Sequence, residues 1–341
     1  MRVALVGLGR MGEVHTEALK TIGLEVSMGF DVDRGVADAY SRDYGIPTYD
    51  VSELPKLLGY RPVDGIILAT TAPSRFQTLS FLLQDLQIKW VLSEKPFVSS
   101  LYQLSTALEL FAKANVRLGI NHQAMFKQSY KKIYEVIASE ELGSLHSVNV
   151  SGANIGLANN VSHIFEAFRY LTGSEIVLVR GFLDAGLRAS HRGPSFKDYS
   201  GSLLGENVEG VKLFVDFSSG IGHGISSTYN FSWGKVVIDE LVGHVRITKR
   251  LPQDRSLSDS KYSLQSLVEN MQLEPEDLVS LTAEVIRSVA FGEPSFPGAA
   301  AAAHSFRSIV ATVISSENGS RSQSTSFQSM RPFFERTFPW S

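Results

Sequence analysis

The chain has 341 residues, of which 43% are hydrophobic and 20% charged, with a formal net charge of −3. This composition is typical of a globular protein long enough for two domains, and the near-neutral charge gives no indication of a nucleic-acid partner. The lack of cysteine excludes disulfides, thiolate metal sites and thiol nucleophiles, and favours a cytoplasmic location. At the amino terminus, glycines and charges interrupt the apolar run, so we expect no signal peptide, and no stretch approaches the ~18 apolar residues of a membrane span.

Short apolar segments alternate with longer amphipathic segments over the first 121 residues. Strands are predicted at residues 2–6, 24–30, 63–70, 89–93 and 116–121, and helices at residues 12–22, 33–44, 74–86 and 102–114. This alternation is typical of βαβ units on a parallel sheet. We therefore predict a doubly wound α/β Rossmann domain over residues 1–121, which binds NAD(P).

The pattern changes after residue 121. Helices are predicted at residues 126–139, 161–171, 276–291 and 299–315, with strands at residues 175–183, 200–204, 211–217, 226–231, 235–241 and 244–247. Val211, Leu213, Val215 and Phe217 recur at every second position, as expected of a sheet with one buried face. We predict that residues 122–341 form an α+β domain with an open, largely antiparallel sheet, used for substrate binding and oligomerisation.

The first predicted strand leads into Gly7-Leu8-Gly9-Arg10-Met11-Gly12, which has G-x-G-x-x-G spacing. Between a strand and a helix, this spacing predicts a dinucleotide site. Gly7 permits the tight turn, Gly9 lets the backbone approach a pyrophosphate, and Gly12 lets helix and strand pack closely. The alternative is a turn that binds no ligand.

An acid is expected at the end of the second strand of such a site, where it accepts hydrogen bonds from ribose hydroxyls. Asp31 lies there, 19 residues after Gly12. Its charge favours NAD over NADP because a 2′-phosphate would meet a like charge. Arg34 is close in the sequence and weakens that preference, so NAD is the predicted cofactor and NADP is left open.

The strand predicted at residues 89–93 is followed by Glu94-Lys95-Pro96. Because strands of a doubly wound sheet end at the cofactor crevice, we expect Glu94 and Lys95 to lie beside the nicotinamide. A lysine there can hydrogen-bond a substrate hydroxyl or take part in proton transfer. Pro96 would hold the turn, and a cis Lys95–Pro96 bond is our hypothesis. The alternative is a solvated surface lysine.

A strand followed by GLGRMG, then Asp31, IILATTAPSRF and EKP, resembles the glucose–fructose oxidoreductase / inositol dehydrogenase (Gfo/Idh/MocA) family, and the resemblance spans most of the chain. Members pair a Rossmann domain with an open-sheet domain and use a nicotinamide cofactor on sugars, inositols and related polyols. The family's EKP lysine, which contacts substrate and nicotinamide, matches Lys95. The resemblance implies these cofactor-binding residues: Gly7, Gly9, Arg10, Met11, Gly12, Asp31, Thr70, Thr71, Glu94 and Lys95.

A second family signature, D-x-G-x-H-x-x-D, is matched best by NNVSHIFE, in which His163 is kept. Asn159, Val161 and Glu166 stand where the family has Asp, Gly and Asp. This variant resembles a subgroup found with surface-polysaccharide and sugar-nucleotide pathways, as do the segments GLANNVSH and SHRGPSFKDYSGSL.

Asn160 and His163 are three residues apart, so they share one face of a predicted helix. An amide and an imidazole placed together can bind neighbouring hydroxyls of a sugar ring, and His163 could take the hydroxyl proton as hydride leaves. The alternative is a histidine satisfied within the core. Asn121 and His122, which follow the last Rossmann strand, complete the predicted substrate-binding set.

Two departures from the family leave the substrate open. Gln123 and Ala124 stand where the family often has an arginine nearby, and Arg75 stands where it commonly has a histidine. The remaining histidines show no metal-ligand spacing, so we predict no metal site and interpret His15 as structural.

The predicted activity is hydride transfer between nicotinamide and a ring carbon of a sugar, sugar nucleotide or polyol, with Lys95 and His163 as catalytic residues. One alternative is a catalytically inactive regulatory protein that binds dinucleotide or sugar, which the altered second signature favours. Another is an NAD-dependent glycoside-cleaving enzyme. Fold alone would not rank them; retention of Lys95 and His163 favours the oxidoreductase. We expect a homo-dimer or homo-tetramer, as is common in the family, and no nucleic-acid or membrane partner.

Overall fold

The computed structural model describes residues 1–85, 88–153, 155–190, 193–257, 266–293 and 297–340. The chain divides into two compact units. Unit 1 comprises Met1–Gln123, Asp277–Phe306 and Pro332–Ser341, and unit 2 comprises Ala124–Glu276 and Arg307–Arg331. Unit 1 thus takes in two segments from late in the chain, and the domain boundary between residues 121 and 122 stays a prediction.

A six-stranded parallel sheet forms the middle of unit 1. Its strands are β1 (Arg2–Val6), β2 (Glu25–Asp31), β3 (Thr48–Asp50), β4 (Gly65–Leu68), β5 (Trp90–Ser93) and β6 (Arg117–Ile120). Their order in space is β3-β2-β1-β4-β5-β6, so the chain starts in the middle and winds outward both ways. Every residue of β4 and β5 is buried, as expected of a parallel sheet covered on both faces. The predicted doubly wound sheet is confirmed.

Five helices connect these strands: α1 (Arg10–Thr21), α2 (Arg34–Tyr44), α3 (Leu54–Tyr60), α4 (Ala72–Asp85) and α5 (Leu101–Ala114). Polar side chains begin two of them, since Asp33 accepts from Gly35 N and Ser100 accepts from Gln103 N. Strand β3 and helix α3 were not predicted from the sequence. The predicted end of α4 at residue 86 lies outside the described residues.

Unit 2 contains a nine-stranded mixed sheet. Its strands are β7 (Leu145–Ser151), β8 (Ile176–Leu183), β11 (Gly201–Asn207), β12 (Lys212–Asp216), β13 (Ser226–Phe231), β14 (Gly234–Asp239), β15 (His244–Arg250), β16 (Ser266–Gln272) and β17 (Gln323–Ser324). Strands β9 (Arg188–Ser190) and β10 (Gly193–Asp198) form a separate antiparallel pair. The order is β16-β15-β14-β13-β7-β12-β11-β8-β17, and among the strands that the structure describes in this sheet only β7 and β12 run parallel. The predicted open, largely antiparallel sheet is confirmed.

Leu213, Val215 and Phe217 are buried, which agrees with the alternation read from the sequence. Helices α6 (Gln128–Ser139) and α7 (Ser162–Thr172) belong to this unit. Strand β7, which pairs with both β12 and β13, was missed because only Val148 and Val150 in it are buried hydrophobic residues.

Two further helices, α8 (Leu278–Phe291) and α9 (Ala299–Glu317), lie between β16 and β17 in the chain. Helix α8 completes unit 1: Arg117 at the start of β6 donates to Ala290 O at 2.6 Å. The carboxyl-terminal Trp340 is buried, with its ring edge-on to Phe306. The core of unit 1 therefore depends on residues far along the chain. Within the described residues, no helix is both long and apolar enough to cross a bilayer.

Candidate functional site

The glycine loop joins β1 to α1 with the geometry that its spacing predicts. Gly7 has φ +93°, and its N–H donates to Phe30 O at 2.8 Å. A Cβ at Gly12 would lie 2.4 Å from Gly7 O, whereas a Cβ at Gly9 would meet nothing within 4 Å. Among the described residues, no side chain caps the start of α1. Backbone N–H groups at an open helix N-terminus fit a pyrophosphate, so the loop suits a dinucleotide.

Other predicted cofactor residues lie at the same loop. Arg10 is exposed and Met11 half-buried, both in the first turn of α1. Thr70 follows β4, and its backbone N would be 2.9 Å from a Cβ at Gly7. Thr71 is exposed beside it. The structure therefore brings the start of α1 and the end of β4 together at the carboxyl edge of the sheet.

Asp31 ends β2 and is tied to the glycine loop. Its Oδ2 accepts from Leu8 N at 2.8 Å, and its Oδ1 accepts from Asp33 N at 2.9 Å. A carboxylate oxygen can accept more than one hydrogen bond, so both oxygens retain acceptor capacity for a ribose.

A cavity of about 320 Å³ adjoins Asp31 and is lined by Asp31, Arg34, Ala37, Asp38, Thr48, Tyr49, Asp50 and Glu53. Four of these residues are acids and one is basic. The Arg34 side chain is 93% exposed, and its Nε lies 3.7 Å from Asp38 Oδ2. The cavity is therefore an anionic environment, which disfavours a phosphate group.

Strand β5 ends at Ser93 and leads directly into the turn that carries Lys95. The Lys95–Pro96 peptide bond is cis, as hypothesised from the sequence. Lys95 is half-buried, whereas Glu94 and Pro96 on either side of it are buried. The turn therefore places a partly accessible amine at the carboxyl edge of the sheet.

Glu94 is the centre of a buried polar network. Its Oε1 lies 2.9 Å from His15 Nε2 and accepts from Asn121 Nδ2 at 2.7 Å. Burial by itself raises the pKa of Glu94, but hydrogen bonds from His15 and Asn121 and the charges of His15 and Lys95 outweigh it and lower the pKa to about 2. Glu94 is thus ionised at neutral pH.

The network gives His15 a more specific place than the sequence suggested, because this helix residue binds the acid beside Lys95. Gly12, three residues before His15, could have drawn attention to it, since both lie on α1, the helix that follows the glycine loop. The Glu94 carboxylate contacts both His15 and Asn121. The predicted contacts of Glu94 with cofactor and of Asn121 with substrate stay predictions.

Arg75 on α4 is a site residue that sequence reasoning treated only as a departure from the family. It is 2% exposed. Its Nη1 lies 2.5 Å from Glu94 O and 3.3 Å from Phe97 O and also contacts Pro96 O, while its Nε donates to Thr70 O at 3.2 Å. Burial lowers the pKa of Arg75 to about 10, against the opposing effect of the Glu94 charge, so it is a cation at neutral pH.

The segment after the Lys95 turn is held by the end of the chain. Trp340 Nε1 donates to Val98 O at 3.3 Å, and Phe338 N donates to Ser99 O at 2.9 Å. These contacts join residues more than 200 positions apart, and no local pattern in the sequence announces them. His122, also in unit 1, is buried with its Nε2 3.2 Å from Ser305 Oγ.

The second predicted signature lies at the start of α7 in unit 2. A π-helical turn, Gly156–Val161, leads into α7, which carries His163. Asn160 in the turn donates through Nδ2 to Ile155 O at 2.7 Å, and His163 is 8% exposed. π-helical turns recur at functional sites because they alter which side chains a helix start presents.

Buried acids support this helix start. Asp198 accepts from Ala158 N at 3.1 Å and from Asn159 N at 2.8 Å. Glu166, which replaces the last acid of the family signature, is fully buried and pairs with Arg169 at 2.6 Å. Among the residues described, no three His, Asp or Glu side chains are grouped to hold a metal ion.

Comparison with known proteins agrees with this geometry. Residues 1–122 match the family described as "Oxidoreductase family, NAD-binding Rossmann fold". The chain is 27% identical over 262 residues to inositol 2-dehydrogenase of Arthrobacter sp. (strain FB24), a match that covers 70% of this chain and 73% of the relative.

Solved structures share the fold over nearly the whole chain. An oxidoreductase from Agrobacterium radiobacter, in complex with NAD⁺, L-tartaric acid and magnesium, matches with a TM-score of 0.77 at 15% identity, covering 95% of this chain and 98% of that chain. UDP-N-acetylglucosamine 3-dehydrogenase GnnA from Acidithiobacillus ferrooxidans matches with a TM-score of 0.74 at 16% identity, covering 94% of this chain and 99% of that chain.

Proposed function

Because residues 1–122 match the Gfo/Idh/MocA family of NAD-binding oxidoreductases, we propose that the chain transfers hydride between NAD and a hydroxyl-bearing ring carbon of a polyol, sugar or sugar nucleotide. One observation carries this proposal. The glycine loop follows β1 and the Lys95 turn follows β5, and both strands pair in parallel with β4. Loop and lysine therefore share one edge of one sheet, where doubly wound folds bind their ligands.

The proposed mechanism assigns a role to each predicted side chain. NAD⁺, when bound, supplies the hydride acceptor. Lys95 Nζ donates to the substrate hydroxyl oxygen and holds the ring carbon for loss of its hydrogen. His163 takes the hydroxyl proton as the C–H bond breaks and the C=O bond forms. Asn160 orients a neighbouring hydroxyl. The substrate loses one hydride and one proton and becomes a ketone, and the reverse steps reduce a ketone.

The cofactor preference follows from charge. Asp31, Asp38, Asp50 and Glu53 face one cavity with a single arginine, Arg34. A 2′-phosphate placed there would meet mostly like charges, whereas ribose hydroxyls would find acceptors. This charge distribution supports NAD over NADP. It also makes Arg34 less important for binding a 2′-phosphate than its position in the sequence suggested.

The substrate class is supported by the names of similar proteins. One relative is an inositol 2-dehydrogenase and one protein of the same fold is a UDP-N-acetylglucosamine 3-dehydrogenase, and both names specify a ring hydroxyl. A role in surface-polysaccharide metabolism is supported by the resemblance of residues 156–166 and 190–203 to one subgroup of the family.

A homo-oligomer is part of the proposal. Leu178 and Phe182 of β8 and Phe214 of β12 are 42%, 49% and 40% exposed. Leu204 of β11 pairs with Phe214 on one side and with Arg180 on the other, so Phe214 and Arg180 point to the same face of the sheet. Leu178 and Phe182 each lie two positions from Arg180 along β8, so Leu178, Phe182 and Phe214 share one face of the sheet in unit 2. Charged substitutions at Phe182 and Phe214 should shift the mass found by light scattering towards the monomer. A wild-type protein of monomer mass would reject the oligomer.

The second candidate is a regulatory protein that binds ligands without turnover. Asn159 and Val161 favour it, because they depart from the acid and glycine of the family signature. Binding of NADH together with no turnover of any ring alcohol would support it. Glycoside cleavage without net NADH formation would instead support the cleaving enzyme.

The test is to incubate the protein with NAD⁺ and a panel of myo-inositol, other inositols, free sugars and UDP-N-acetylglucosamine, following NADH absorbance and identifying products by mass spectrometry. We expect one class of ring alcohol to be oxidised. Lys95→Ala should abolish the activity. Lys89→Ala, at the opposite end of the same strand and in a surface pair with Asp64, is the matched control and should retain it. An active Lys95→Ala protein would contradict the mechanism.

A further inference from the structure

We infer that Arg75 is a positioning residue that fixes the Lys95 turn against the loop after β4, and so shapes the part of the site that receives the nicotinamide. This inference rests on the proposed function. It adds a residue that touches neither substrate nor cofactor and acts through the backbone on either side of Lys95.

Arg75 contacts backbone carbonyl oxygens of two different loops. Its Nη1 reaches the carbonyl oxygens of Glu94, which precedes Lys95, and of Pro96 and Phe97, which follow it. Its Nε and Nη2 both donate to Thr70 O. One guanidinium therefore joins two loops, each of which follows a strand at the carboxyl edge of the sheet.

The shape of the guanidinium suits these contacts. A guanidinium is planar and carries five N–H donors, so it can bind several carbonyls in fixed directions. A lysine ammonium has the same charge but is a single centre and cannot span both loops from one position. Burial of an unpaired cation is unfavourable, and here backbone carbonyls and the nearby Glu94 charge offset that cost. The contacts are therefore specific to arginine.

The two loops that Arg75 joins lie at the edge of the sheet that is proposed to receive the nicotinamide. The loop after β4 approaches the glycine loop, because Thr70 N would lie 2.9 Å from a Cβ at Gly7. The other loop presents Lys95. By holding them together, Arg75 sets the position of Lys95 relative to the cofactor loop, whereas the acidic cavity at Asp31 is lined by none of the residues that Arg75 contacts. Its loss should thus affect the nicotinamide end and spare the adenosine end.

The experiment compares NADH with ADP-ribose, which lacks the nicotinamide, by calorimetric titration of wild type, Arg75→Gln and Arg75→Lys. We expect Arg75→Gln to weaken NADH binding about tenfold or more and ADP-ribose binding less than about twofold. Arg75→Lys should keep the charge yet weaken NADH binding measurably. Hydrogen exchange of a peptide covering residues 94–98 should be faster in both variants.

Arg117→Gln is the matched control, because Arg117 also donates to a backbone carbonyl of unit 1 but at the amino end of β6. It should leave both titrations within about twofold of wild type. Equal weakening of NADH and ADP-ribose by Arg75→Gln, or no weakening, would overturn the inference. If Arg75→Gln does not fold, Arg75→Lys decides: wild-type NADH affinity in that variant overturns the inference. A wild type that binds no NADH rejects the proposed function instead.

Discussion

His15 Nε2 lies 2.9 Å from Glu94 Oε1, with both side chains buried, and this pair joins the helix of the glycine loop to the turn that carries Lys95. The helix that follows the proposed cofactor-binding loop and the turn that carries Lys95, the residue proposed to act on substrate, are therefore connected through one carboxylate. Asn121 binds the same oxygen from the end of β6. The Glu94 carboxylate thus links helix α1 to the residues that follow strands β5 and β6.

The pair makes stability depend on acid pH. The folded-state pKa of Glu94 is about 2, below the ordinary 4.5, so the carboxylate stabilises the fold above pH ~4.5 and that contribution is lost as pH falls towards 2. We expect the difference in unfolding free energy between wild type and Glu94→Gln to shrink by roughly 3 kcal/mol between pH ~5 and ~2. Urea unfolding at a series of pH values measures it, and a difference that does not change with pH would contradict it.

Three glycine substitutions separate cofactor binding from folding. Gly9→Ala places a methyl group in open space over the start of α1, so the free energy of unfolding should change by less than ~0.5 kcal/mol. The same methyl group should weaken NADH binding by about tenfold or more. Gly12→Ala forces a Cβ to within 2.4 Å of Gly7 O and should cost about 1–3 kcal/mol of stability. Gly59→Ala, in α3 with nothing within 4 Å, is the control.

Gly59→Ala should leave NADH affinity unchanged and raise stability by up to about 1 kcal/mol, because alanine favours the helix. Calorimetric titration with NADH and thermal unfolding of all three variants provide the measurements. Unaltered NADH affinity in a folded Gly9→Ala protein would show that the loop does not hold a pyrophosphate.

Removing the charge of Asp31 should relax the choice of dinucleotide. Asp31→Asn lowers the negative charge of the acidic cavity, so we expect the ratio of NADPH to NADH affinity to rise about tenfold. Arg34→Gln, whose side chain is 93% exposed, should change the ratio by less than about twofold. If instead Arg34→Gln has the larger effect, the preference depends on the arginine and the assignment to Asp31 is wrong.

Asp198 should support the proposed substrate residues of unit 2. Asp198→Ala leaves the N–H groups of Ala158 and Asn159 without their acceptor, at a cost of about 1–3 kcal/mol each. Turnover of the alcohol that wild type oxidises should fall about tenfold or more, with NADH affinity retained. Asp184→Ala, which removes an acceptor for Ser200 Oγ, is the control. Equal loss of activity in both variants would deny Asp198 a specific role.

Much of unit 1 could be predicted because its strands are apolar and regularly spaced. β3 was missed since Thr48, Tyr49 and Asp50 form only three partly or fully exposed positions. The helices near the end of the chain were predicted, but that late segments belong to unit 1 was not, because contacts such as that of Trp340 with Val98 are set by tertiary packing rather than by local pattern.

Residues of the candidate site could be predicted where they belong to short sequence motifs. The glycine spacing, Asp31 and Lys95 follow strands, so their approximate location came from topology. Arg75 and His15 could not be assigned in the same way, because their importance lies in burial and in partners up to 79 positions away, which one sequence does not reveal.

The most direct test of the account is parallel titration calorimetry of the wild-type protein with NADH and NADPH. The acidic cavity and the open glycine loop predict that NADH binds at least about tenfold more tightly than NADPH. Tighter binding of NADPH would contradict the role given to Asp31. Failure of the folded protein to bind either dinucleotide, reduced or oxidised, would contradict the proposed function as a whole.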